Sequence, residues 1–245
     1  DIEYEPPKLK MGQLTANAIA LVAGEIVVHS EALAEVQRQL ALTTRSDVSE
    51  LADLYASQIR AIKNKRAEHL FLSPLGLDLK SFVAAQRSMD EGQLAKLTRQ
   101  LQDYTTDTHA IIAGCDNRGA HIYLVDEYGT ATCHDDVDFA AIGIGATHAK
   151  SYFMQYGYAA YKSLYADALA VTYIAKKHAE VAPGVGQQTD LHLINRFKNE
   201  PVADSLVKAL EAMYSEYGKT ISEADKKASI RLGHFLNQEK KKSED

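Results

Sequence analysis

The sequence predicts an α+β fold in which antiparallel strands pack between helix layers, and three observations carry that reading. First, the runs AIIAGCD and AHIYLVDEYG are joined by Asn117-Arg118-Gly119, a short polar connection whose glycine can take positive φ, so they read as a hairpin. Second, from Ser30 to Ile62 the apolar residues fall at helical spacing instead. Third, Gly143-Ile144-Gly145 and then Pro183, Gly184 and Gly186 bracket two further helical stretches, after which TDLHLINRF reads as a returning strand.

Taken in order, QLTANAIALVAG (13–24) begins polar and then packs Ala, Ile, Leu and Val into a short buried strand ending at Gly24. Ser30 is the expected N-cap of a helix with Leu33, Val36 and Leu40 on one stripe. Ser46, with Asp47 and Glu50 in the first turn, signals the next helix. It runs to Phe71 with Leu51, Leu54, Tyr55, Ile59 and Ile62 sharing a face. Pro74 and Gly76 break it, and a further helix over 90–104 leads to the hairpin. Asp126 to Gly129 form a second turn into TATCH. A helix then follows Gly145, and another spans Tyr161 to Glu180. Towards the end, Val202, Leu206, Leu210 and Met213 mark an amphipathic helix over 200–217. Residues 219–237 read as a second, more polar helix, and QEKKKSED as a solvated tail.

Composition narrows the function classes. With 245 residues, 46% of them hydrophobic, the chain is long enough to bury a full core. A net charge of -6 and a pI near 5.9 are wrong for holding nucleic acid, which needs a clustered basic field. No apolar run reaches membrane-spanning length and the start lacks a signal-peptide pattern, so a cytoplasmic protein is expected. Cys115 and Cys133 are expected to stay reduced. His109, His121, His134, His148, His178 and His192 match no ligand spacing, so no metal is expected. Gly143-x-Gly145-x-x-His148 lacks the third glycine and the preceding βαβ unit of a dinucleotide loop, so no cofactor is expected either. The tyrosines between Tyr152 and Tyr173 suit helix packing and subunit contacts.

Three segments, THAIIAGCDNRGAHIYLVDEYGTATCH, FAAIGIGATHAKSYF and APGVGQQTDLHLI, follow one another in an order that resembles the C-terminal half of proteasome-type β-subunits, the N-terminal-nucleophile (Ntn) hydrolases. The resemblance covers about two thirds of the chain. It implies a proteasome-like sandwich over 1–199, with a helical insertion at about 68–104, followed by a C-terminal helical extension and polar tail over 200–245. It also implies that the family's first two strands and its nucleophile, an N-terminal Thr, Ser or Cys whose free α-amine acts as base, lie upstream of Asp1. Within KLKMGQLTANAIALVAG it implies Lys10, with Lys8 the alternative, as the cation that lowers the nucleophile's pKa, and Gly24 as backbone donor to the oxyanion.

Other family positions differ. Ile144 stands where a working subunit has serine, and Val181 or Ala182 where it has aspartate, with Glu180 the nearest substitute. The resemblance therefore implies a homo-oligomeric hydrolase of a peptide or small amide, or a catalytically degenerate scaffold of the same fold.

Overall fold

A computed structural model describes residues 10–42 and 47–244, with the side chains of the last helix described to residue 236. Lys8 and Ser46 therefore lie outside the described residues. The fold is α+β, built on a five-stranded, wholly antiparallel sheet whose strands lie side by side in chain order.

The single strand expected over 13–24 is a hairpin. β1 (Met11–Thr15) and β2 (Ala18–Gly24) pair with Met11 opposite Leu21, turning at Ala16-Asn17. Asn17 makes the turn, because its side chain accepts from Thr15 Oγ1 at 2.8 Å and donates to the Cys115 carbonyl at 2.6 Å.

Helix α1 (Ile26–Leu40) starts from Glu25, five residues before the expected cap Ser30, and Ser30 lies inside it. The cause is tertiary. Gly24 takes φ 94°, which turns the chain straight from strand into helix.

Helix α2 (Val48–Phe71) follows Asp47, whose side chain makes no cap. Its Val48 N–H instead donates to Asp116 Oδ2, in the turn that Gly119 closes, at 3.1 Å. After Pro74 and Gly76 the chain re-forms helix twice. α3 (Leu79–Ala85) has a capping box between Asp78 and Ser81, and α4 (Glu91–Asp103) is capped by Asp90. Leu72, Phe82 and Leu97 give this lobe a small core of its own.

Strands β3 (Thr108–Cys115), β4 (Ala120–Val125) and β5 (Ala131–Cys133) form the predicted hairpin and its extension. α1 and α2 cover one face of the sheet. Ala18, Ala20, Val22, Ala110 and Ile112 alternate onto that face and pack against Val36, Leu51, Tyr55 and Ile59. Among the described residues this is the largest apolar cluster, and its burial stabilises the fold by roughly 25 cal/mol per Å².

A second core forms between α5 (Ala146–Tyr156) and α6 (Tyr165–Ala179), with the Phe139 ring stacked on Phe153 at 4.6 Å. The returning strand is reduced to β6 (His192–Ile194), which pairs with β7 (Asn199–Pro201) in a separate two-stranded hairpin rather than joining the main sheet. Asn195 drives this early reversal, its side chain accepting from the Phe197 and Lys198 amides at 2.8 and 3.0 Å. The two helices expected after residue 200 are one, α7 (Asp204–Glu244), which runs through Gly218 without a break. Cys115 and Cys133 are free thiols. Among the described residues no helix is long and apolar enough to cross a membrane.

Candidate active site

Four segments distant in sequence meet at the C-terminal end of β2. Gly24 abuts the chain ahead of β3 so closely that a Cβ there would stand 1.8 Å from the Asp107 carbonyl oxygen, which itself accepts from the Glu25 amide at 3.3 Å. Only glycine fits that position. Lys10 lies on the neighbouring chain segment, its carbonyl accepting from Val22 N–H at 2.9 Å, and is exposed. The Gly143–Gly145 turn lies against β2, since a Cβ on Gly143 would be 3.4 Å from Ala23 Cβ. Behind it, a Cβ on Gly145 would meet Ala179 Cβ at 2.7 Å, and one on Gly184 would lie 3.6 Å from Ile144 Cδ1. The sequence-predicted residues Lys10 and Gly24, the glycine turn and the 179–184 segment thus share one neighbourhood.

Beneath it sits a polar relay that the sequence reading missed. His29, in the first turns of α1, is buried, as is Tyr55 of α2. The Tyr55 hydroxyl lies 2.6 Å from His29 Nδ1, and His29 Nε2 lies 2.9 Å from the Ala23 carbonyl. Burial pushes the His29 pKa down, with the Ala23 hydrogen bond opposing it, and burial pushes the Tyr55 phenol up. The arrangement is therefore neutral throughout. Tyr55 donates to Nδ1, and Nε2–H donates to the Ala23 oxygen. Because the peptide unit is planar and trans, fixing the Ala23 carbonyl fixes the Gly24 N–H on its opposite edge. The available signal was spacing, since His29 shares a helical face with the buried Ala32 and Val36.

The remaining expected positions offer no catalytic group. Ile144 is 72% exposed and Val181 75%, so both present bare apolar side chains, while Ala182 is buried. Glu180 is held by Lys176 at 2.7 Å and Lys177 at 3.1 Å. Burial acts to raise its pKa, but these two ammonium groups outweigh burial and hold its carboxyl below the usual range. A carboxylate committed to two lysines of its own helix end is not available to orient a nucleophile.

A second polar cluster lies on the β3–β4 hairpin. His121 has Asp135 Oδ2 at 2.6 Å from Nδ1 and Asp116 Oδ1 at 3.1 Å from Nε2. The hydrogen bond to Asp135, then the Asp116 charge, raise its pKa against a burial penalty. Asp116 is buried and also accepts from the Val48 and Arg118 amides. Burial works against its charge, but these bonds and His121 hold its carboxyl at about 2. With both ring nitrogens donating to carboxylates, His121 is a clamp and has no lone pair left to act as a base. Among the described residues no group of three or more His, Cys, Asp or Glu side chains is placed to hold a metal ion.

No protein-family model and no curated protein matches the chain.

Proposed function

We propose that this chain carries part of a proteasome-type Ntn hydrolase site for a peptide or small amide, with the nucleophile supplied by sequence preceding Asp1. The observation that carries the reading is the seating of the Gly143–Gly145 turn against Ala23, which gathers Lys10, Gly24 and the glycine turn from widely separated stretches of chain. In this reading the nucleophile's proton passes to its own α-amine as oxygen or sulfur attacks the scissile carbonyl. The oxyanion accepts from Gly24 N–H, an interaction typically worth about 3 kcal/mol in the transition state. Collapse expels the amine, which takes the proton, and water then hydrolyses the acyl-enzyme. Lys10 contributes positive charge that favours the deprotonated nucleophile. The reading carries with it a homo-oligomer in the cytoplasm.

Exposed Ile144 and the lysine-bound Glu180 support a second reading, a scaffold that keeps the fold without the chemistry. The test is a mechanism-based electrophile, a peptide epoxyketone, applied to the protein expressed from its full gene and followed by intact mass. An adduct on an N-terminal Thr, Ser or Cys that is lost in Lys10→Ala supports the hydrolase. No adduct, or a mature N-terminus without such a residue, leaves the scaffold.

A further inference from the structure

The C-terminal half of α7 carries an apolar stripe that nothing covers among the described residues. At 100° per residue, Leu210, Tyr214 and Tyr217 fall on one line along the helix. Leu210 is buried, and Tyr214 and Tyr217 pack on the α5–α6 core. The same line continues straight on as Ile221, Ala224, Ala228, Leu232 and Phe235. Over 218–236, about 28 Å of helix, every residue except Gly233 is exposed; Ile221 is 41% exposed, Leu232 59% and Phe235 57%. A helical stretch with two glycines and no packed face is marginal in water, because helices in proteins draw most of their stability from burying an apolar side. The pattern is that of a helix built for a partner.

We propose that the partner is a second copy of this chain, whose α7 lies antiparallel on the first with the two-fold axis near residue 226. Three observations select that occupant. The stripe is continuous with a face that already packs helix against helix inside the chain, so its width and spacing suit a helical partner. The net charge changes sign at the proposed axis: Glu216, Glu223 and Asp225 outnumber Lys219 before it, and Lys226, Lys227 and Arg231 follow it. Antiparallel pairing lays one copy's acidic half along the other's basic half, whereas parallel pairing would align like with like. Finally, Ala224 and Ala228, the smallest residues of the stripe, flank the axis. In an antiparallel heptad register they meet across it and let the backbones approach, while Ile221 meets Arg231 and Tyr217 meets Phe235. This inference does not depend on the hydrolase reading, since it uses neither Lys10 nor Gly24.

Sedimentation of the full chain at about 100 µM, a concentration suited to a small interface, is expected to show a dimer. Ile221→Glu with Leu232→Glu is expected to weaken that dimer at least about tenfold while leaving the thermal melt of the core unchanged, because both residues are exposed in the single chain. Register is read by disulfide trapping in a background with Cys115 and Cys133 replaced by Ala. A mixture of Ala224→Cys and Ala228→Cys chains is expected to link on mild oxidation, and Ala228→Cys alone is not. A monomer at that concentration, a dimer indifferent to the glutamates, or efficient linking by Ala228→Cys alone would each overturn the proposal.

Discussion

The end of β2 and the β3–β4 hairpin each hold a histidine with both ring nitrogens bonded, yet the two behave as opposites. His29 lies buried between a phenol and a backbone carbonyl, and burial favours the neutral ring although the carbonyl opposes it. His121 lies between two carboxylates, so its surroundings favour the cation. Burial decides the outcome at His29, where the Ala23 bond works against it, whereas at His121 the two carboxylates outweigh burial. His29 aligns a peptide, whereas His121 in β4 ties together the hairpin turn through Asp116 and the segment after β5 through Asp135, and Asp116 in turn holds the start of α2.

The contrast can be broken at either end. The largest effect is expected from Gly24→Ala, because its Cβ would collide with the Asp107 carbonyl and φ 94° is strained for alanine. A loss of more than about 3 kcal/mol in urea unfolding is expected. Next comes Asp116→Ala, which strips the cap from α2 and leaves His121 facing one carboxylate. Removing one member of a buried charged network costs roughly 3 kcal/mol, read by the same unfolding measurement at pH 7. Tyr55→Phe leaves His29 Nδ1 without its donor and is expected to cost about 1–2 kcal/mol. It should also speed amide exchange at Gly24, which a purely volumetric role for Tyr55 would not do.

The smallest and sharpest test is pH. The folded pKa of His121 is raised, so its contribution is fully present below the unfolded value of about 6.5 and is lost as pH rises through the folded value. His29 has the opposite sign, since its pKa is lowered. Its contribution is present above about 6.5 and is lost as pH falls through the folded value. Unfolding free energies at acidic and alkaline pH should therefore show the deficit of His121→Gln shrinking as pH rises and that of His29→Gln growing. Parallel trends in the two variants would remove the distinction.

Local chemistry was legible in the sequence where it is decided locally. Gly119 and the alternation around it gave the β3–β4 hairpin, and the glycine pair at 143–145 gave the start of α5. What stayed hidden depends on contacts between distant residues. The start of α1 is set by Gly24 meeting Asp107, far from anything around Ser30. The short reach of β6 follows from Asn195 reversing the chain before a longer strand can form. In α7 the apolar stripe keeps one phase on both sides of Gly218, and reading each side separately concealed that continuity. At the candidate site, Lys10 and Gly24 were named from the resemblance carried by KLKMGQLTANAIALVAG. The Tyr55–His29–Ala23 relay was not, because it exists only once α2 packs on α1, and the Asp116–His121–Asp135 clamp needs the folded hairpin.

The contact between Gly24 and Asp107 also acts as a mechanical coupling. Asp107 is four residues beyond the end of α4, and the chain there is held by Thr106, whose hydroxyl bonds Thr108 and the Glu127 carbonyl. The α3–α4 lobe is therefore anchored at the mouth of the candidate site by a short strap. Any displacement of the lobe would be transmitted through the Asp107 carbonyl to the Gly24–Glu25 peptide that it binds.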